Sequence, residues 1–233
     1  VVTAVWLLKT PETRPPRGET VKDTFLDLSI RDMLHMLHIP SAAHRRFSRI
    51  VLPVAPWVFG CAGAAYALLP QLLSDSAGDA PIAFSGLMTV ITLGCGVGVQ
   101  MLGKIIDTSR SARASAVAMG VITVGTILGA VASSTRSLPL GIAGAAVMGA
   151  GYGLALVAGL SEVQRIARAE ELAGLTAVYY SVSYTGFFIP MAFSALAPLL
   201  GFTTLFLIGA VLALCCLVNA VLGWRAHLPG PVR

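Results

Sequence analysis

The chain has 233 residues, of which 56% are hydrophobic and only 12% charged, with a mean hydropathy of +0.81 and a net charge of +5. An average soluble domain dresses its surface with about 25% charged residues, so this composition excludes a soluble enzyme. Disordered chains are charge-rich and poor in apolar residues, which excludes disorder and leaves an all-α integral membrane protein whose main solvent is the lipid bilayer.

In chain order, residues 1–9, VVTAVWLLK, are apolar but too short to cross a bilayer, and they have neither the basic n-region nor the cleavage site of a signal peptide. They read as the end of a truncated transmembrane helix. Residues 10–49 follow as a polar loop holding Phe25, Leu28, Met33, Met36 and Leu37, apolar positions that suit a short helix lying at the membrane surface. His35, His38 and His44 sit in this loop. His35 and His38 are three residues apart, but no carboxylate or cysteine completes a metal set at the right spacing, so a solvated loop is the plainer reading and no metal is expected.

A helix needs about 20 mostly apolar residues to span the hydrocarbon. Six stretches qualify: Ile50–Leu73, Ile82–Ile106, Ser115–Ser134, Pro139–Leu160, Leu172–Leu200 and Phe202–Trp224. They make residues 50–224 a six-helix transmembrane domain, with 225–233 as a tail. Pro190 and Pro198 in the fifth stretch predict a kinked helix starting nearer Val178. Of the 16 basic residues, 15 fall at one side of this arrangement, and only Arg136 lies on the other. By the positive-inside rule that side is cytoplasmic and holds both chain ends, as expected for a multi-pass protein of a cell (inner) membrane.

No HExxH, GxSxG or phosphate-loop lysine occurs, and the four cysteines lie within the spans. Neither an enzyme, a cofactor nor a nucleic-acid partner is expected. Gly149, Gly151 and Gly153 sit mid-span, where small residues serve close helix packing, and Gly94 with Gly98 repeats that theme. No ionisable residue falls in the middle of a span; Asn219 is the nearest substitute. On the second span Thr89, Thr92, Gln100, Gly96 and Gly103 share one face at 100° per residue, which must meet protein or water. On the fifth span Tyr180 stands above Tyr184 and Ser181 above Thr185. That stripe suits either a cavity for a moderately polar molecule or a set of interhelical bonds with an interfacial aromatic belt.

Between the second and third spans stands GKIIDTSRSAR, with Gly103, Asp107, Arg110 and Arg113. Between the fourth and fifth lies SEVQRIARAEELAGLTAVYYSVSYTGFFIP, with Glu162 and Arg165 at its start. Together with the six spans and the long loop before them, these stretches resemble the C-terminal half of a major facilitator superfamily transporter, helices seven to twelve. The signature after the second span departs from the family at Thr108, where a base is expected, and at Arg110, where the family has glycine.

The resemblance implies secondary active transport of a small organic molecule, as exporter or permease, by alternating access. This chain would work with a missing N-terminal six-helix half. It implies Trp57, Thr92, Gln100, Tyr152, Tyr180 and Tyr184 as substrate-binding candidates, and Gly103, Asp107, Arg110, Arg113, Glu162 and Arg165 as a cytoplasmic gate. The alternatives stay open: Asp107, Arg110 and Arg113 as solvated loop charges worth about 0 to 1 kcal/mol, and the chain as a self-contained six-helix scaffold or regulator acting as a homodimer.

Overall fold

A computed structural model describes residues 39–78, 80–108, 111–223 and 225. The stretch 1–9, the surface helix expected around Phe25–Leu37, His35, His38, Arg110 and the tail after 225 lie outside the described residues.

Those residues are built from helices, six of them long and apolar enough to cross a membrane: α1 Phe47–Ala77, α2 Pro81–Ile106, α3 Arg113–Thr135, α4 Leu138–Ile166, α5 Leu172–Leu200 and α6 Phe202–Gly223. Proline stands in the first turn of α2 and α4, where its missing N–H has no partner to lose. Five of the six stretches match the sequence expectation within a few residues, Leu172–Leu200 at both ends, and α4 runs on further. Two boundaries move. Helix α4 continues past Leu160 to Ile166 because Glu162 and Arg165 are paired side chains, not solvated loop charges. Helix α5 begins at Leu172, well before Val178, since the Glu171 carbonyl accepts the Leu175 N–H at 2.9 Å and Leu175 is wholly buried.

The expected kink in α5 is a 3-10 turn at Thr185–Phe187. Pro190 cannot donate to the carbonyl four residues back, and its ring crowds that carbonyl. The residue four back is Gly186. Helix α1 is irregular as well, with π-helical turns at Phe47–Val51 and Ala64–Leu68. Within the first of these, the Arg49 carbonyl accepts from Asn219 Nδ2 of α6.

The packing has a regular exchange in it. Helix α2 lies along α4, α5 lies along α1, and α3 sits between α4 and α6. Both exchanged pairs touch through glycine. A Cβ on Gly149 or Gly153 of α4 would run into the Thr92 or Gly96 carbonyl of α2, and one on Gly186 of α5 would strike the Pro56 carbonyl of α1. Gly151 meets Ile122 of α3 instead, so the three glycines of α4 serve two neighbours. Among the described residues nothing lies within 4 Å of a Cβ placed on Gly94 or Gly98; that pair is an open face. Helices α2 and α5 are the least buried of the six.

Candidate functional site

Two groupings of side chains stand out, one on the open side between α2 and α5 and one at the end of the bundle rich in arginine.

The first is aromatic. Phe59 of α1 stacks on Tyr184 (centroids 5.0 Å apart, planes 13° from parallel) and on Phe187 (4.9 Å, 17°). Tyr152 of α4 approaches Phe59 at 6.1 Å, and Tyr180 approaches Tyr184 at 6.2 Å. The sequence places Tyr180 and Tyr184 on one stripe; the turn at Thr185–Phe187 adds Phe187, and the crossing of α5 over α1 at Gly186 adds Phe59. Tyr184 is 54% exposed and Phe187 45% exposed. The result is an uncharged plate of rings, a surface with the geometry for stacking against a flat apolar group.

Other polar groups nearby are spoken for. Ser181 and Thr185 donate to the Ala177 and Val182 carbonyls of their own helix at 2.9 and 2.6 Å. Tyr179, next in sequence to Tyr180, is buried, and its hydroxyl donates to the Ala155 and Leu156 carbonyls of α4 at 3.3 Å each.

Three of the six binding candidates gather here: Tyr152, Tyr180 and Tyr184. Thr92 does not. It is fully buried in the α2–α4 seam, with its hydroxyl on the Met88 carbonyl at 2.7 Å. The polar stripe of α2 therefore faces protein along much of its length, with Gly103 against Val157 of α4 at its basic end. Gln100 is half-buried one turn before Gly103. Trp57 faces a separate cavity bounded by α5 and α6.

The second grouping is ionic. Glu162 of α4 accepts from Arg46 Nε at 2.5 Å and from Arg46 Nη2 at 2.9 Å, a bidentate pair in which both side chains are almost wholly removed from solvent. Arg165 Nη1 also donates to Glu162, at 2.6 Å, while its Nη2 pairs with Asp107. Asp107 caps the end of α2. Two positive and two negative groups thus tie the ends of α1, α2 and α4 together. Arg113, at the start of α3, donates through Nε and Nη2 to the Ile106 carbonyl at 3.1 and 2.9 Å, satisfying a helix C-terminus with a cation. Beside the network Glu171 accepts from the Ser41 N–H at 3.0 Å and from its hydroxyl.

Of the gate candidates, Asp107, Glu162 and Arg165 are brought into direct contact, Arg113 sits next to them on the backbone, and Gly103 lies a turn away. Arg46 went unrecognised at the sequence level. Its position directly before the first apolar run, in HRRFSR, is the signal that could have found it, since a base there must either snorkel or be paired.

Comparison with protein-family models, curated proteins and solved structures yields no match for this chain.

Proposed function

We propose that the chain is one six-helix half of a secondary transporter of the major facilitator type, moving a small organic molecule across a cell membrane by alternating access, without a cofactor and without catalysing a reaction. The observation that carries this reading is the exchanged packing, α2 on α4 and α5 on α1. Each pair joins the second helix of one three-helix unit to the first of the other, as two repeats around a shared axis would do. The aromatic plate lies on the first helices of both units, α1 and α4, and on α5. It flanks the least buried helices, where a second half would close the cavity.

On this reading the arginine-rich end is cytoplasmic, the substrate stacks on Phe59 and Tyr184, and the Arg46–Glu162–Arg165–Asp107 network is a gate. A half-buried pair such as Arg165–Asp107 can break when the ends of α2 and α4 part, whereas the buried Arg46–Glu162 pair holds α1 to α4 throughout.

The test uses Tyr184→Cys in the full protein, labelled by a membrane-impermeant maleimide in vesicles of each orientation. Alternating access predicts labelling that shifts towards the arginine-rich side when Asp107→Asn is added. Labelling from neither side, or no change with Asp107→Asn, overturns it.

The open Gly94–Gly98 face favours a second reading, a homodimeric scaffold. Disulfide cross-linking through Gly98→Cys separates the two: a scaffold gives a dimer of identical chains, and a half-transporter does not.

A further inference from the structure

A cavity of about 110 Å³ lies between α1, α3, α5 and α6, apart from the aromatic plate and the ionic network. Trp57 and Cys61 form one wall, Phe193 and Phe206 another, and Ile208 and Leu212 of α6 flank its mouth. Phe193 and Phe206 meet edge to face at 5.6 Å, which fixes the far wall.

The polar groups of this lining are already engaged. Thr126 donates to the Ile122 and Thr123 carbonyls at 3.0 and 2.9 Å. The indole N–H of Trp57 is set against the Cys216 sulfur, and the Cys61 thiol is turned to the Met148 carbonyl at 3.5 Å. A buried water needs about two to four polar partners, and apolar cavities of roughly 150 Å³ stay dry and take up benzene or xenon instead. Any occupant of this space is therefore apolar.

Where the mouth opens decides which apolar group. Ile208 and Leu212 are 44% and 55% exposed, the seventh and eleventh of the 22 residues of α6, so at about 1.5 Å per residue they stand near mid-depth in the bilayer. Around them the exposed side of α6 carries large aliphatic side chains, among them Leu207, Val211 and Val218. In membranes small residues line helix–helix contacts, and bulky aliphatic ones meet lipid. At that depth the bilayer presents acyl chains and no headgroups.

We propose that this cavity is a binding site for the end of a bilayer lipid acyl chain, entering between Ile208 and Leu212 and resting against Trp57, Phe193 and Phe206. The site tolerates no charge or hydrogen-bonding group on its occupant.

The probe is a phosphatidylcholine with a diazirine at the end of one acyl chain, incorporated into phosphatidylcholine vesicles holding the full protein, with labelled residues read by mass spectrometry. Labelling at Trp57, Phe193 or Phe206 is expected to exceed that at exposed Val211 and Val218 at least threefold. Gly209 lines the cavity, and a Cβ there would meet only the Phe193 ring within 4 Å, at 3.5 Å. Gly209→Leu should fill the space and remove that excess, leaving the Val211 and Val218 signal unchanged. Gly209→Ala, which the fold accommodates, should reduce the excess about twofold and decides the matter if Gly209→Leu does not fold. Equal labelling of lining and surface, or an excess that survives both substitutions, overturns the proposal.

Discussion

Arg46 and Glu162 meet through two hydrogen bonds, of 2.5 and 2.9 Å, at the start of α1 and near the end of α4, with almost no solvent reaching either side chain. Breaking a buried pair by removing one partner leaves an uncompensated charge and costs about 3–5 kcal/mol, whereas replacing both partners with apolar side chains of similar size is often neutral. Glu162→Gln or Arg46→Met alone should lower the unfolding temperature of the detergent-solubilised protein by many degrees. The double variant Arg46→Met with Glu162→Leu should recover much of that loss, although Arg165 then loses its Glu162 contact. A double variant no better than the worse single one would show that the charges themselves, and not their mutual pairing, hold the helices.

The Arg165–Asp107 pair differs in exposure, with 16% and 17% of the side chains in contact with solvent. Water reaches part of this pair, so Asp107→Asn should lower the unfolding temperature less than loss of a partner in the buried Arg46–Glu162 pair does. The spacing between the ends of α2 and α4 should respond as well. Spin labels at half-buried Thr108→Cys and exposed Gln164→Cys, in a background without the native cysteines, should give a broader and longer distance distribution with Asp107→Asn. An unchanged distribution together with a large loss of stability would reverse the roles assigned to the two pairs.

Much of this fold is legible in the sequence because a bilayer allows backbone polar groups so few solutions. Length, hydropathy and the side taken by Arg46, Arg113 and Arg165 suffice to find six helices. Close packing was legible at Gly149, Gly151 and Gly153 but not its partners, since nothing in a one-dimensional stripe says that Gly149 and Gly153 meet α2 while Gly151 meets α3. The same limit explains Thr92. Its face was visible, but whether that face met water or the α4 backbone depended on glycines 57 and 61 residues away. Phe59 joins Tyr184 only because Pro190 breaks α5 at Gly186 and lets that glycine cross Pro56, a contact between distant segments. Arg46 was hidden for a different reason: as one of several bases before the first span it looks like any positive-inside residue until Glu162 is placed beside it.

The two kinds of glycine in the bundle should separate cleanly. A Cβ on Gly153 would collide with the Gly96 carbonyl, and one on Gly98 meets nothing within 4 Å among the described residues. Backbone cannot yield as a flexible side chain can, so Gly153→Ala should part α2 from α4 and lower the unfolding temperature, at a cost of about 1–3 kcal/mol for an overpacked contact. Gly98→Ala should leave the isolated chain unchanged or slightly firmer, because alanine favours the helix over glycine by about 1 kcal/mol. In the full protein Gly98→Leu tests the open face further: weakened association with whatever helix covers it, at unchanged stability of this six-helix unit, is the expected result.

Tyr179 and Tyr184 lie on one helix and should behave oppositely. Tyr179 is buried against Gly159 of α4 and donates to two carbonyls of that helix, so Tyr179→Phe removes a hydrogen bond from the interior. Its net worth is about 0.5–1.5 kcal/mol, and the change should appear as a lower unfolding temperature. Tyr184 is more than half exposed and touches the protein through its ring, on Phe59. Tyr184→Phe keeps that stack and should leave both stability and ligand binding nearly intact, while Tyr184→Ala removes the outer ring of the plate. Intrinsic-fluorescence titration of the full protein with a panel of flat aromatic amphiphiles gives the readout. Loss of at least fivefold in affinity with Tyr184→Ala, none with Tyr184→Phe, and unchanged membrane insertion in both would assign the stacking surface to binding. Equal binding by wild type and Tyr184→Ala would assign the plate to helix packing alone.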